Sequence, residues 1–289
     1  MNQRLPEWFK QKIPRAGETS AVERLLSELK LHTVCEGAHC PNLGQCFSHG
    51  TATFMIMGDI CTRNCTFCAV TKGLPPALDA DEPAHVAEAV QHLGLKYVVI
   101  TCVTRDDLPD GGAQHLADTI HALHGAMPGL KVEVLVSDFK GDVESVRTVV
   151  NAGPDVFSHN LETVPRLYGT VRPMADYRRS LDVLQKAKEL APAIVTKCGL
   201  MLGLGETQDE VVQVMRDLRA VGCELLTLGQ YLAPSPAHHP VVEFVTPGQF
   251  AEYEQISLRE GFKGAASAPL VRSSFRAAEL YDRAMAGQI

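Results

Sequence analysis

Between residues 53 and 230 the chain alternates short apolar runs with longer amphipathic stretches. Runs dense in Val, Ile and Leu cover 53–57, 97–102, 131–136, 155–159, 194–202 and 224–230, and each predicts a strand. Apolar residues at helical spacing fall between them, over 83–93, 113–126, 143–150, 177–190 and 207–221. Pro83 suits a first helical turn, and Gly94 and Gly222 suit helix ends. Upstream, Val22, Leu25, Leu26 and Leu29 lie on one face of a predicted helix over 21–30.

Strands that are apolar throughout, separated by helices, read as a parallel sheet covered by those helices. The expectation is an α/β fold, a partial (β/α)6 TIM-type barrel with N- and C-terminal extensions; a doubly wound open sheet is the alternative. The units would be 1–50, 51–245 and 246–289, the last adding two helices and a Gly/Ala-rich segment. In such barrels the loops after the strands carry the chemistry.

Composition narrows the class. The chain has 289 residues, 45% hydrophobic and 21% charged, with a formal net charge of −7. That balance argues against general nucleic-acid binding, which wants a basic face. No run approaches the length of a membrane span, and the first residues lack the apolar core of a signal peptide. A cytoplasmic protein is expected. Arg4, Lys10, Lys12 and Arg15 against a single Glu7 make residues 1–15 locally basic, either a solvated tail or a docking strip for an acidic partner.

Six of the nine cysteines lie between residues 35 and 68. In a reducing compartment they point to metal or catalysis rather than disulfides. Cys61-Thr-Arg-Asn-Cys65-Thr-Phe-Cys68 follows the first strand directly, and Cys35, Cys40 and Cys46 precede it. Each triplet is one ligand short of a structural zinc site, and neither spacing is that of a ferredoxin. Three thiolates can hold a four-iron cubane with one iron open; zinc and plain core cysteine are the alternatives. Cys102, Cys198 and Cys223 read as small core hydrophobes. The eleven histidines are scattered, and His238, His239, His121 and His124 read as surface positions. His39, inside the first triplet, is the exception.

These motifs carry a family resemblance. C-x3-C-x2-C after a first barrel strand resembles the radical S-adenosylmethionine (SAM) superfamily. The first triplet, C-x4-C-x5-C, with Arg272-Ser273-Ser274-Phe275 near the far end, is similar to the lipoyl synthase family within it. The likeness spans roughly residues 5–280 and includes Thr51–Gly58, Arg105–Gly112, His159–Val164 and Gly199–Glu206. Phe275 stands where that family commonly has tyrosine.

The resemblance implies two [4Fe-4S] clusters. Cys61, Cys65 and Cys68 would hold the one that binds SAM. Cys35, Cys40 and Cys46 with Ser274 would hold an auxiliary one, consumed as a sulfur source. On the bare pattern, Ser273 and Ser274 would instead cap a helix starting near Phe275. The implied reaction inserts sulfur at C6 and C8 of an octanoyl-lysine on a lipoyl-carrier protein domain, using two SAM molecules. Flavodoxin or ferredoxin would donate electrons, and an iron–sulfur carrier would restore the cluster. Carbon in mid-chain offers no acidic proton and no leaving group, so a radical cofactor must do the work.

For SAM, the resemblance nominates Phe67, Asp110, Gly111, Gly112, Asn160, Glu162, Arg172 and Glu206. Arg105, Arg172 and Arg272 are candidate partners for carboxylates or structural ion pairs. Two other readings stand beside this one. One is a different auxiliary-cluster radical enzyme with a small free substrate; the other is an iron–sulfur carrier, for which six βα units are more scaffold than transfer requires.

Overall fold

The computed structural model describes residues 4–10, 17 and 19–287. Lys12 and Arg15 of the basic strip lie outside them. Within it, Lys10 is paired with Glu7 at 2.9 Å, both exposed.

Seven parallel strands run in chain order across one sheet: β1 (Thr53–Ile56), β2 (Tyr97–Cys102), β3 (Lys131–Leu135), β4 (Val156–Ser158), β5 (Val195–Leu202), β6 (Leu225–Gln230) and β7 (Gly264–Ala268). A two-residue strand, His32–Thr33, adds antiparallel to the outer edge of β1. The two ends of the sheet do not pair, so this is an open, partial TIM-type barrel. Between the strands lie α2 (Glu82–His92), α3 (Ala113–Ala126), α4 (Val143–Asn151), α5 (Tyr177–Leu190), α6 (Gln208–Ala220) and α7 (Pro247–Arg259); α1 (Ser20–Glu28) precedes the barrel and α8 (Ala277–Met285) ends it.

The six predicted strands and the intervening helices are present, within two residues at each end. The seventh strand is the difference. The Gly/Ala-rich segment pairs along β6 from Gly264 opposite Leu225 to Ala268 opposite Gly229. Its alanines carried no β-branched signal. Small side chains fit here because α8 packs close: a Cβ on Gly264 would sit 3.1 Å from both Ala284 and Leu280. Both extensions therefore share hydrogen bonds with the barrel sheet.

Continuous apolar strands give the core expected of a sheet buried on both faces. Phe54, Ile100, Val132, Val134, Phe157, Leu226 and Leu228 have no measurable exposure. Helix starts are fixed locally, by capping boxes at Thr207 with Glu210 and Thr246 with Gln249, and by Asp142 and Asp176 side chains. One ion pair is fully enclosed: Lys197 Nζ lies 2.7 and 2.9 Å from the two oxygens of Glu133, which also accepts from Tyr97 Oη at 2.6 Å. Among the described residues, no helix is long and apolar enough to cross a membrane.

Candidate metal centre and active-site cavity

β1 ends in a turn that two residues with left-handed backbone make possible, Met57 at φ 68° and Gly58 at φ 87°. A non-glycine residue there carries strain. Buried Glu82 holds it, accepting from the Met57 amide at 2.8 Å and lying 2.7 Å from His115 Nε2. The Met57 side chain occupies the space beside Gly112, where a Cβ would stand 2.1 Å from its sulfur. The chain then enters the Cys61–Cys68 loop.

Arg63 fixes that loop from its middle. Its amide donates to Cys61 Sγ at 3.5 Å. Its buried guanidinium grips Asp106 through two bonds of 2.8 and 3.0 Å and reaches Asp138 at 2.5 Å. Asp138 also accepts from Arg179 at 2.7 Å. Burial alone would raise the Asp138 pKa, but the two guanidiniums hold it below the usual carboxylate range. The cysteine loop is thus tied to the loops after β2 and β3.

A strap over residues 231–246 covers the loop. His238 Nε2 lies 3.2 Å from the Cys68 carbonyl and its Nδ1 lies 2.8 Å from Ser235 Oγ. The His239 amide donates to Thr66 O at 2.9 Å, and its Nε2 lies 3.1 Å from Leu204 O. Both histidines were expected at the surface; they are half-buried fasteners instead. No ligand spacing marked them because carbonyls, not metals, are their partners.

The first triplet is joined to the far end of the chain. Asn42 Nδ2 donates to Leu270 O at 2.7 Å, and Thr53 Oγ1 donates to Ser274 Oγ at 2.8 Å. Neither serine caps a helix. α8 starts later, at Ala277, after Arg276 in left-handed conformation, and Ser273 Oγ donates to Asn160 Oδ1 at 3.1 Å.

All six cysteines except Cys46 line a single cavity of about 520 Å³, together with Ser274, Arg172 and Arg272. Cys46 is electrostatically coupled to Cys40 and to Cys35. Cys61, Cys65 and Cys68 are likewise mutually coupled. Burial pushes the Cys35 and Cys68 thiols up to about 11 and raises Cys46 and Cys65, with Arg172 opposing it at Cys65. Such thiols become thiolates when a metal supplies the compensating charge. Among the described residues, no three His, Cys, Asp or Glu side chains converge on one ion. The thiols frame a space instead. Two sets of three soft donors around a space suit a polynuclear iron–sulfur group better than one zinc ion, whose sulfurs must all lie ~2.3 Å from one point.

Of the other nominated residues, Phe67, Asn160, Glu162 and Arg172 line this cavity. Glu162 sits at φ 66°, pinned by backbone bonds to Gly199 and Met201, and accepts from Asn160 Nδ2 at 3.0 Å. Burial raises its pKa, against the pull of Arg172 and Arg272. Arg172 Nη1 donates to the Asn160 and Leu161 carbonyls, while its buried Nε has no hydrogen-bond partner among the described residues.

Asp110, Gly111, Gly112 and Glu206 do not line the cavity. The Asp110 carboxylate accepts from the Gly112 and Gln114 amides at 3.0 and 2.9 Å, capping the start of α3. Gly111 backs onto Phe139, and Gly112 makes room for Met57. Glu206 accepts from the Gly203 and Leu204 amides at 2.6 and 2.9 Å and closes its own loop. Glycine in a turn reads alike whether it admits a ligand or a neighbouring side chain. The wall after β2 is made by Thr101, Cys102, Val103 and Thr104. Cys102 is thus a wall residue rather than plain core, whereas Cys198 and Cys223 are buried as expected. Arg105 pairs internally with Asp107 at 2.8 Å.

Comparison with known proteins agrees with this architecture. A model of the radical SAM superfamily matches residues 55–218, and one of the N-terminal domain of lipoyl synthase matches residues 1–40. The chain is 58% identical over 277 residues to a lipoyl synthase of Caldanaerobacter subterraneus subsp. tengcongensis, covering 96% of this chain and 97% of that protein. It is 54% identical to a lipoyl synthase of Thiobacillus denitrificans, over 99% of this chain and 92% of the relative. Solved structures share the fold at low identity. Streptococcus suis SuiB bound to precursor peptide SuiA matches 93% of this chain and 58% of its own, with a TM-score of 0.59 at 11% identity. The hydrogenase maturase HydG of Carboxydothermus hydrogenoformans matches 91% of this chain and 78% of its own, with a TM-score of 0.54 at 13% identity. The chain belongs to the lipoyl synthase family, enzymes of the radical SAM superfamily.

Proposed function

We propose that this enzyme inserts two sulfur atoms, at C6 and C8, into an octanoyl chain carried on a lysine of a lipoyl-carrier protein domain. Cys61, Cys65 and Cys68 hold the [4Fe-4S] cluster that engages SAM. Cys35, Cys40, Cys46 and Ser274 hold a second cluster, which is the sulfur-donating substrate. One observation carries the reading: Ser274 faces the same cavity as Cys35 and Cys40 and as Cys61, Cys65 and Cys68, although it lies at the opposite end of the chain. When bound, the first cluster and SAM supply a carbon-centred radical able to take hydrogen from an unactivated C–H bond.

The chain's own residues position and enclose that chemistry. Arg63 locks the Cys61–Cys68 loop, and His238 and His239 clamp the strap across it. Arg172 sets a positive charge beside Cys65. Phe67, Asn160 and Glu162 supply an aromatic face and polar contacts for SAM. The cavity's apolar wall, including Met55, Val103, Val136 and Leu200, suits an alkyl chain. Two C–H bonds require two SAM molecules per product. Electrons come from a flavodoxin- or ferredoxin-type donor, and an iron–sulfur carrier replaces the consumed cluster. Arg4 and Lys10, with Lys12 and Arg15, favour an acidic carrier surface.

The test is anaerobic reconstitution, then incubation with SAM, reductant and an octanoyl-lysine peptide. About eight irons per chain, 5′-deoxyadenosine and a peptide carrying two sulfurs are expected. Deoxyadenosine without modified peptide would assign a different substrate, and about four irons would remove the second cluster.

A further inference from the structure

Thr53, the first residue of β1, is 7% exposed and donates to Ser274 Oγ at 2.8 Å across 221 residues of sequence. No other side-chain bond orients the Ser274 hydroxyl among the described residues. The same threonine lines the cavity that Cys35 and Ser274 also line, close enough to Cys35 to act on its thiol. Thr53 therefore stands between two members of one donor set drawn from opposite ends of the chain.

We propose that Thr53 is a positioning residue for the second metal site: its hydroxyl holds Ser274 in the rotamer that completes the set begun by Cys35, Cys40 and Cys46. This rests on the reading that those four residues share one cluster. A serine oxygen has three staggered positions open to it. Ser274 lies in an irregular stretch between β7 and α8, where helix or strand geometry does not choose among them. Thr53 makes the choice.

The direction of the bond fits ligation. A serine that has given its proton up to bind iron can only accept hydrogen bonds, and Thr53 is placed to donate. Thr53 itself is held by the sheet, opposite Val99 of β2. Removing the donor would free the serine to turn away, and a cluster bound there would be held by Cys35, Cys40 and Cys46 alone.

Thr53→Val keeps the β-branched shape and removes the donor, whereas Thr53→Ser keeps the donor. Both are reconstituted anaerobically beside the unmodified chain, and iron release to a chelator is followed with the electron paramagnetic resonance spectrum. The valine variant should release iron about ten-fold faster or more, the factor expected for one hydrogen bond to a charged acceptor. It should also show a three-iron signal on mild oxidation, and the serine variant should restore both properties. Unchanged release and spectrum in Thr53→Val would overturn the assignment. If the valine variant does not fold, Thr53→Ala replaces it under the same criteria. About four irons in the unmodified chain would instead overturn the two-cluster reading.

Discussion

Arg63 Nη2 lies 2.5 Å from Asp138 Oδ1, joining the middle of the cysteine loop to the loop after the third barrel strand. Both side chains are almost wholly removed from solvent. A charged residue inside a metal-binding loop would ordinarily point to water. Here it is turned inward, where Asp106 and Asp138 neutralise it, and the loop cannot move without breaking buried ion pairs.

We predict that Arg63→Met lowers stability by ~3 kcal/mol or more, because it leaves Asp138 buried with Arg179 as its remaining cationic partner. Iron bound by Cys61, Cys65 and Cys68 should become easier to extract. Urea denaturation and chelator kinetics check the two effects. A melting curve matching the unmodified protein would show that the network does not brace the loop.

The enclosed Lys197–Glu133–Tyr97 group has no exposure at its charged members. Removing one partner strands the other charge, so Lys197→Met alone should cost roughly 3–5 kcal/mol. Replacing all three together, as Lys197→Met, Glu133→Leu and Tyr97→Phe, should recover most of that loss. Thermal unfolding of the single and triple variants decides it. A triple variant no more stable than the single one would mean that the charges do more than satisfy each other.

His159 gives stability a pH dependence. Its Nδ1 donates to the Val136 carbonyl at 2.9 Å, and its buried Nε2 has no hydrogen-bond partner among the described residues. Burial, with nearby Arg172, pulls its pKa from 6.5 down to about 4. Between those values the unfolded chain binds a proton that the folded chain refuses, so stability falls as pH drops from 6.5 toward 4. We predict that His159→Asn, which keeps a donor for Val136, loses less melting temperature between pH 7 and pH 5 than the unmodified protein. Equal losses would assign the acid sensitivity elsewhere.

Arg272 differs from Arg63 and Arg105, which hold carboxylates. Its one hydrogen bond among the described residues runs from Nη1 to the Val271 carbonyl at 2.7 Å, and the groups whose ionised forms would stabilise its charge are the Cys40 thiol and the Glu162 carboxyl. A desolvated guanidinium needs an anion. We predict that Arg272→Met weakens iron retention at the first triplet while the KM for SAM stays within about two-fold, and that Arg272→Lys partly rescues it. A large rise in that KM with retention intact would make SAM the partner instead.

Sequence periodicity was sufficient for the alternation of strands and helices, because a sheet buried on both faces demands uninterrupted apolar runs. Ala113–Ala126 and Tyr177–Leu190 are the helices that spacing predicted. The two cysteine triplets were equally plain, since thiols at short spacing can wrap a compact site from one loop. What sequence could not decide was which polar residues face the cavity and which face one another. Asp110 and Glu206 cap backbone amides; His238 and His239 grip carbonyls; Arg63 turns inward. Asp110 and Glu206 turn to amides within four residues, whereas Arg63, His238 and His239 depend on partners tens to hundreds of residues away. The same holds for Ser274, which meets Thr53 only because β7 and the segment after it return to the open edge of the barrel. Local pattern fixes what a residue can do, and folding supplies the neighbour that selects among those possibilities.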